Sequence, residues 1–172
     1  MEKDSGVKQR PQTGETQKKR TSVERILRAT LKNGVFSGVS ADRSRAMSAV
    51  RGKGNRSTET VFRMALVREG IRGWTLHRKD LAGCPDFYFA RLKVAVFIDG
   101  CFWHGCPKCG HIPKTRSKFW RTKIERNKGR DKRTNQELRR RGVKVLRMWE
   151  HELQRNMAGS ILKLRVRLRG TR

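Results

Sequence analysis

The sequence predicts an α/β fold in which a mixed central sheet has helices on both sides. Short apolar runs such as residues 94–98 are typical of strands that are buried on both faces. Segments with apolar residues at helical spacing interleave with these runs without a regular repeat. A dense group of cysteines, Cys101 to Cys109, adds the expectation of a structural zinc site.

The chain of 172 residues has room for one domain and a tail. Residues 1–40 are rich in Lys, Arg, Thr, Gln and Gly, which predicts a basic tail that is disordered or loosely helical. Residues 41–172 are expected to form the folded domain. The tail either adds phosphate contacts or has no specific role, and the sequence allows both.

The first helix is predicted to begin at residues 57–59, which offer capping and acidic side chains, and to end at Gly70. Short strands are then predicted at residues 74–77, 86–89 and 94–98. Because the last two follow each other closely, a hairpin between them would bring them side by side.

A long, strongly basic helix is predicted over residues 117–141, which only Gly129 interrupts. After Gly142, residues 143–149 indicate a further strand. Apolar residues in the closing segment 161–168 have spacings that suit a helix or a strand, and we favour the helix.

Positive charge dominates the composition. Lys and Arg number 43 against 15 Asp and Glu, a formal net charge of +28, so the expected partner is nucleic acid. The cysteine spacing is unlike a secreted disulfide framework, and no apolar run approaches the length of a membrane span. We therefore expect a protein of the cytoplasm that associates with the nucleoid.

Two carboxylates lie beside apolar strands. Asp86 opens one predicted strand after Pro85, and Asp99 closes the next before Gly100. Oxygen ligands on adjacent strands suit Mg²⁺, which can activate water for phosphodiester hydrolysis. Each aspartate alone could simply follow a turn or end a strand, but together with the charge they favour a metal-dependent nuclease.

The cysteines of the spacing C-x4-C-x2-C, namely Cys101, Cys106 and Cys109, favour tetrahedral Zn²⁺. Local spacing leaves the fourth ligand open among three histidines, which are His104, His111 and His151. A site closed by four protein ligands is structural, so this zinc would stabilise the fold and leave hydrolysis to the carboxylates.

Aromatic residues cluster where the positive charge is densest. Phe102 and Trp103 lie inside the cysteine loop, and Phe119 and Trp120 begin the basic helix. Such side chains can stack on bases or between them. We expect Phe119 to pack in the core and at least one of Phe102 and Trp103 to be exposed.

Four segments together resemble the very short patch repair endonucleases. They are Gly-Cys-Pro-Asp-Phe at 83–87, Phe-Ile-Asp-Gly-Cys-Phe-Trp-His-Gly-Cys-Pro at 97–107, Lys-Phe-Trp at 118–120 and Trp-Glu-His at 149–151. The resemblance runs from about Ala41 to Leu168. It implies the restriction-endonuclease-like fold and an enzyme that nicks one DNA strand beside a T·G mismatch with Mg²⁺.

The resemblance also implies roles for residues at the catalytic site. Asp86 would bind Mg²⁺ beside the main-chain carbonyl of Ile98, with Glu59 reaching the site through water. His104 would act on the attacking water. Some family members have histidine in place of Asp99, so Asp99 either binds the metal or holds His104 in position.

The same resemblance makes His151 the fourth zinc ligand after Cys101, Cys106 and Cys109, which leaves His111 outside the site. The side chains implied to contact DNA form two groups, one that opens the base stack and one that reads the mismatched pair. The intercalating residues are Phe102, Trp103 and Trp120 from the major groove and Met47 from the minor groove, and the reading residues are Lys123 and Asn127.

A monomer is expected, because an asymmetric mismatch does not require a two-fold protein. Two other functions also agree with the composition. A zinc-stabilised basic nucleic-acid-binding protein without catalysis would share the charge and the cysteines, and a restriction or structure-specific nuclease on the same fold would share the catalytic site.

Overall fold

The computed structural model describes residues 58–170. Met47, the predicted tail at residues 1–40 and the start of the predicted domain lie outside the described residues. Among the residues described, no helix is both long and apolar enough to cross a membrane.

Four strands form one sheet in the order β1-β2-β3-β4. They are β1 (Trp74–Leu76), β2 (Phe87–Phe89), β3 (Val94–Asp99) and β4 (Lys144–Trp149). β1, β2 and β3 pair antiparallel, whereas β3 and β4 pair parallel. The sheet is therefore mixed, and β2 and β3 form the expected hairpin through a single 3₁₀ turn, Ala90–Leu92.

Helices cover both faces of the sheet. They are α1 (Glu59–Arg68), α2 (Ser117–Arg140), α3 (Glu150–Arg155) and α4 (Met157–Arg169). The closing segment is helical, as predicted. Because side chains alternate between the two faces of a strand, each face has its own apolar core.

One core lies between the sheet and α1, α3 and α4. It contains Phe62 and Leu66 of α1, Phe87 of β2, Met148 of β4 and Leu164 of α4, all fully buried. Here α1 contributes its two buried apolar residues one turn apart, the spacing that places both on one helix face. This packing fixes the N-terminus of α1, and with it Glu59, against the end of the sheet.

The opposite core lies under α2. Leu138 near the end of that helix packs on alternate residues of the strands, among them Tyr88, Ala95 and Val145. The helix is long enough to extend from this core to the cysteine loop, where Ile124 is also buried. Residues on its inward face are thereby placed beside the loop that follows β3.

Candidate active site

Glu59, His77 and Asp86 form a cluster at one end of the antiparallel strands. Each offers one ligand atom, and these atoms all lie within 4.8 Å of one another. Glu59 is buried in the first turn of α1, whereas Asp86 directly precedes β2 and His77 directly follows β1. Continuing the register from the pair Leu76 and Phe87 places His77 opposite Asp86.

Asp86 is held by the neighbouring strand. Its Oδ2 accepts a hydrogen bond of 2.7 Å from the backbone N–H of Ile98. Burial raises the pKa of Asp86 from its ordinary value of 3.8 to about 6, against this hydrogen bond, and the negative charge of Glu59 adds to the increase. A bound cation would offset the cost of burying the Asp86 carboxylate and its repulsion by Glu59, so the cluster suits a divalent metal ion.

His77 was not among the residues singled out from the sequence. Its Nε2 lies 2.8 Å from Oε1 of Glu59. Its backbone has a φ of 49°, in the left-handed region, which ends β1 at Leu76 one residue earlier than predicted. No local pattern points to His77, because its contact with Asp86 depends on the pairing of β1 with β2.

A second network surrounds His104. Nδ1 of His104 lies 2.6 Å from Oδ2 of Asp131 on α2 and 3.6 Å from Oδ1 of Asp99. Burial acts to raise the pKa of Asp131, but the hydrogen bond to His104 and the charge of Arg147 hold that pKa below its ordinary value. Since Asp131 stays ionised at neutral pH, it holds the ring by Nδ1 and leaves Nε2 for chemistry.

Arg147 joins the two carboxylates of this network. It donates from Nε to Oδ2 of Asp99 at 2.6 Å and from an Nη to Oδ1 at 2.5 Å, and the same Nη lies 3.2 Å from Asp131. Its guanidinium also lies 4.8 Å from the centre of the Phe97 ring. Both oxygens of Asp99 are thus engaged by Arg147, which favours the interpretation that Asp99 holds the His104 network over the one in which it binds metal.

Asp131 and Arg147 were also missed in the sequence. Arginine is too common in this chain for one to stand out. Asp131 offered a signal, because it lies one helical turn after Asn127 and two turns after Lys123, on the helix face already expected to contact DNA.

The cysteine cluster has the dimensions of a zinc site. Nδ1 of His151 lies 3.2, 3.6 and 3.4 Å from Sγ of Cys101, Cys106 and Cys109, and Cys106 and Cys109 are 3.6 Å apart. Tetrahedral Zn²⁺ with ordinary bond lengths separates sulfur and nitrogen ligands by about 3.6 Å and two sulfurs by about 3.8 Å. All three thiols are free of disulfides, so the four side chains can hold one metal ion.

Backbone turns shape this loop. The N–H of Cys106 donates to the carbonyl of Cys101, and the N–H of Gly110 donates to the carbonyl of Cys106, both at 2.9 Å. A Cβ at Gly110 would lie 2.4 Å from that same Cys106 oxygen, so only glycine allows the chain to fold back there. His111 lies outside the cluster, as expected, with its ring 5.7 Å from that of Phe102.

Three aromatic rings form one cluster beside the cysteine loop. Ring centres of Phe102 and Trp103 are 5.0 Å apart, those of Phe102 and Trp120 are 5.2 Å apart, and those of the two tryptophans are 6.1 Å apart. All three residues are half-buried, so the expectation that Phe102 or Trp103 would be exposed is wrong. The rings shield one another, which hides apolar surface that two neighbouring aromatics would otherwise expose.

Phe119 is also half-buried and belongs to neither core, which corrects the expectation that it packs in the interior. Its ring lies 5.2 Å from that of Trp120. Lys123 is half-buried on the same helix. Asn127 donates from Nδ2 to the carbonyl oxygen of Trp103 at 2.8 Å, so its amide nitrogen holds the cysteine loop against α2.

Comparison with known proteins identifies the family. A family model described as DNA mismatch endonuclease Vsr matches residues 38–109. The DNA mismatch endonuclease Vsr of Escherichia coli (strain K12) is 36% identical over 118 residues, which cover 66% of this chain and 72% of that protein. The chain belongs to the Vsr family.

Nicking enzymes are also similar to this Vsr-family chain. The type II nicking enzyme V.NaeI of Lentzea aerocolonigenes is 44% identical over 122 residues, 66% of this chain and 70% of that enzyme. The type II nicking enzyme V.XorIIP of Xanthomonas oryzae pv. oryzae is 42% identical over 109 residues, 62% of this chain and 78% of that enzyme. The protein is therefore a DNA endonuclease, a hydrolase that acts on DNA, with the restriction-endonuclease-like fold of its family.

Proposed function

We propose that this Vsr-family endonuclease nicks one strand of duplex DNA beside a T·G mismatch with the help of Mg²⁺, and so starts very short patch repair in the cytoplasm. The observation that carries the proposal is that one loop connects the two activities. Residues 101–109 hold Trp103 of the aromatic cluster next to His104, whose ring is fixed by Asp131. Opening of the base stack and hydrolysis would then take place at adjoining positions.

The metal is assigned to the cluster at Asp86, because its half-buried carboxylate lies beside a buried one, that of Glu59, and its pKa is raised to about 6. In this assignment Asp86 and the main-chain carbonyl of Ile98 would hold Mg²⁺, and Glu59 would contribute through water. When bound, Mg²⁺ would activate water and stabilise the leaving oxygen of the phosphodiester.

The protein's own residues would carry the proton transfer. His104 accepts a proton from the attacking water at Nε2, because Nδ1 is held by Asp131 at 2.6 Å. Arg147 keeps Asp99 and Asp131 in place and balances their charge, so the ring has one orientation. In this mechanism Asp99 is a positioning residue rather than a metal ligand.

Recognition is assigned to the cysteine loop and to α2. Phe102, Trp103 and Trp120 would enter the base stack from the major groove, and the Cys3His site would hold Zn²⁺ that keeps the loop ordered before DNA arrives. A mispaired step opens at lower cost than a paired step, so such a wedge prefers a mismatch even before hydrogen bonds are read. Met47 would enter from the minor groove.

Lys123 and Asn127 are proposed to select the mispair. Lys123 would contact a base through its ammonium group, whereas Asn127 already uses its amide nitrogen on the Trp103 carbonyl. Its amide oxygen would then accept from the base. Residues 1–40 are proposed as a basic tail that adds phosphate contacts, residues 41–172 as the endonuclease domain, and the active species as a monomer.

The test is a nicking assay with Mg²⁺ on a panel of end-labelled duplexes that contain T·G, other mispairs, a branch or no defect, with the cut position mapped on each strand. We expect one cut beside the mispaired T, and none with the Asp86→Asn variant. Equal cutting of branched duplexes would assign the protein to structure-specific nucleases instead. Binding without any cutting would assign it to non-catalytic nucleic-acid-binding proteins.

A further inference from the structure

We propose that His77 is a nitrogen ligand of the hydrolytic metal ion, so that the site is a mixed imidazole and carboxylate site that binds Mn²⁺ more tightly than Mg²⁺. This inference rests on the proposed metal-dependent hydrolysis and concerns the composition of that same site. Three features of His77 support it, namely the position of the imidazole, a buried nitrogen without a hydrogen-bond partner and a left-handed backbone conformation.

Position is the first argument. His77 follows β1, opposite Asp86 across the antiparallel pair, and its backbone N–H approaches the carbonyl oxygen of Asp86 at 3.4 Å. Its ring offers a nitrogen within 4.8 Å of carboxylate oxygens of both Glu59 and Asp86. Ligands of one divalent ion lie within such distances of one another.

The unsatisfied nitrogen is the second argument. Within residues 58–170, Nδ1 of His77 is the one buried side-chain nitrogen or oxygen with no hydrogen-bond partner. A buried polar atom left without a hydrogen-bond partner destabilises the fold. Meanwhile Nε2 contacts Glu59 at 2.8 Å. A histidine that binds a metal through one nitrogen while the other donates to a carboxylate is the usual arrangement in metalloproteins.

Backbone conformation is the third argument. The left-handed region is disfavoured for residues other than glycine, because Cβ then crowds the following carbonyl oxygen. His77 adopts a φ of 49°. Residues other than glycine that are held in this region are concentrated at functional sites, which agrees with a ligand role for His77.

The donor set decides the metal preference. Carboxylates suit Mg²⁺ and Mn²⁺ alike, whereas imidazole favours first-row transition ions over Mg²⁺. Asp99 adds no further oxygen, because Arg147 engages both of its carboxylate oxygens. A site in which His77 joins Asp86 and the Ile98 carbonyl, with Glu59 contributing through water, should therefore distinguish Mn²⁺ from Mg²⁺ through its single nitrogen.

The test uses the full chain with its zinc retained and Mn²⁺ as the probe, without DNA. Pulsed electron paramagnetic resonance of bound Mn²⁺ detects a coordinated imidazole as ¹⁴N modulation. We expect this signal in the wild type and its loss in His77→Gln, whose amide can still donate to Glu59. The same variant should weaken Mn²⁺ binding at least about tenfold and Mg²⁺ binding much less.

Two variants serve as controls. His104→Gln should keep the ¹⁴N signal, because His104 is assigned to the water and not to the ion. Asp86→Asn should abolish Mn²⁺ binding altogether. The inference can be refuted even if His77→Gln does not fold. Loss of the ¹⁴N signal in His104→Gln would refute it, and so would binding of Mn²⁺ to the wild type without a ¹⁴N signal. An unchanged Mn²⁺ affinity in folded His77→Gln would also overturn it.

The outcomes separate this inference from the proposed function. Nicking at T·G with Mn²⁺ bound through oxygen alone would refute the role of His77 and leave the proposed function intact. A His77-dependent ¹⁴N signal without preference for T·G duplexes would support the role of His77 and refute the proposed specificity for the mismatch.

Discussion

Replacing Asp86 by Asn should remove nicking and at the same time make the Mg²⁺-free protein more stable. Burial raises the pKa of this carboxyl from 3.8 to about 6, so ionisation is more costly in the folded state than in the unfolded state. At 1.36 kcal/mol per pKa unit, the difference amounts to about 3 kcal/mol at pH 7.5. Asn is not ionised and avoids this cost.

The hydrogen bond that Oδ2 of Asp86 accepts from the N–H of Ile98 is already contained in this pKa, because it acts to lower it. The amide oxygen of Asn can accept the same hydrogen bond. The expected stabilisation at pH 7.5 is therefore about 3 kcal/mol. Because the folded pKa is raised, the cost is absent below the unfolded pKa and complete above the folded one. At pH 5 this cost falls to about half, so the stabilisation by Asn falls to about 1.5 kcal/mol.

The assay is urea unfolding of both proteins at pH 5 and pH 7.5 in buffer freed of Mg²⁺ by passage over resin. Chelators are avoided because they would also remove zinc, and zinc content is measured in each sample. Asp80→Asn is the matched control, since the carboxylate of Asp80 is exposed and paired with Arg78. It should show no stabilisation. A wild type as stable as Asp86→Asn at pH 7.5, or a gain that does not change with pH, would refute the reasoning.

Three further outcomes are expected. Cys106→Ser should lose zinc and melt at a lower temperature, because a structural zinc contributes on the order of 10 kcal/mol of folding free energy in small domains; Cys84→Ser, outside the cluster, should keep both zinc content and melting temperature. Trp103→Ala should weaken binding to a T·G duplex more than to a matched duplex and should abolish the emission change of a fluorescent adenine analogue beside the mispair, measured in Ca²⁺. Deletion of residues 1–40 should flatten the dependence of log K on log salt by about 0.9 for each phosphate that the tail neutralises in the full chain, and a loss of mismatch preference instead would show that the tail reads the DNA.

Features that depend on neighbouring residues could be predicted from the sequence. The apolar run of β3, the length of α2 and the helical end of the chain follow from local periodicity, and the structure confirms them. The three cysteines could also be recognised, because their spacing within one loop already matches the size of a zinc site. Assignment of His151 needed the family resemblance, since it lies 42 residues beyond Cys109.

Features that depend on tertiary contacts could not be predicted in this way. His77 reaches Asp86 only because β1 and β2 pair in one particular register. Arg147 approaches Asp99 across the parallel pair of β3 and β4, an interaction between residues 48 positions apart. Periodicity reports which face of a strand is apolar, but it does not report which strand lies next to it, so a polar contact between strands is invisible until the pairing is known.

The half-buried aromatic cluster has the same origin. Each of Phe102, Trp103 and Trp120 has more apolar surface than its own segment can cover, and the sequence therefore predicts exposure of at least one of the first two. In the structure α2 brings Trp120 against the loop and the rings cover one another. The hydrogen bond from Asn127 to the Trp103 carbonyl holds the two parts together.

Because the same loop carries Trp103 and His104, the zinc site would connect mismatch opening with hydrolysis. Insertion of Trp103 into a base stack would pull on a backbone that Asn127 holds from α2, and α2 also supplies Asp131, which fixes His104. One helix would thus position both the proposed aromatic wedge and the proposed catalytic base, His104. A base step that resists opening would prevent Trp103 from inserting, and His104 would then lie away from the scissile phosphate. Selectivity for a mismatch would in this way appear in the cutting rate as well as in affinity.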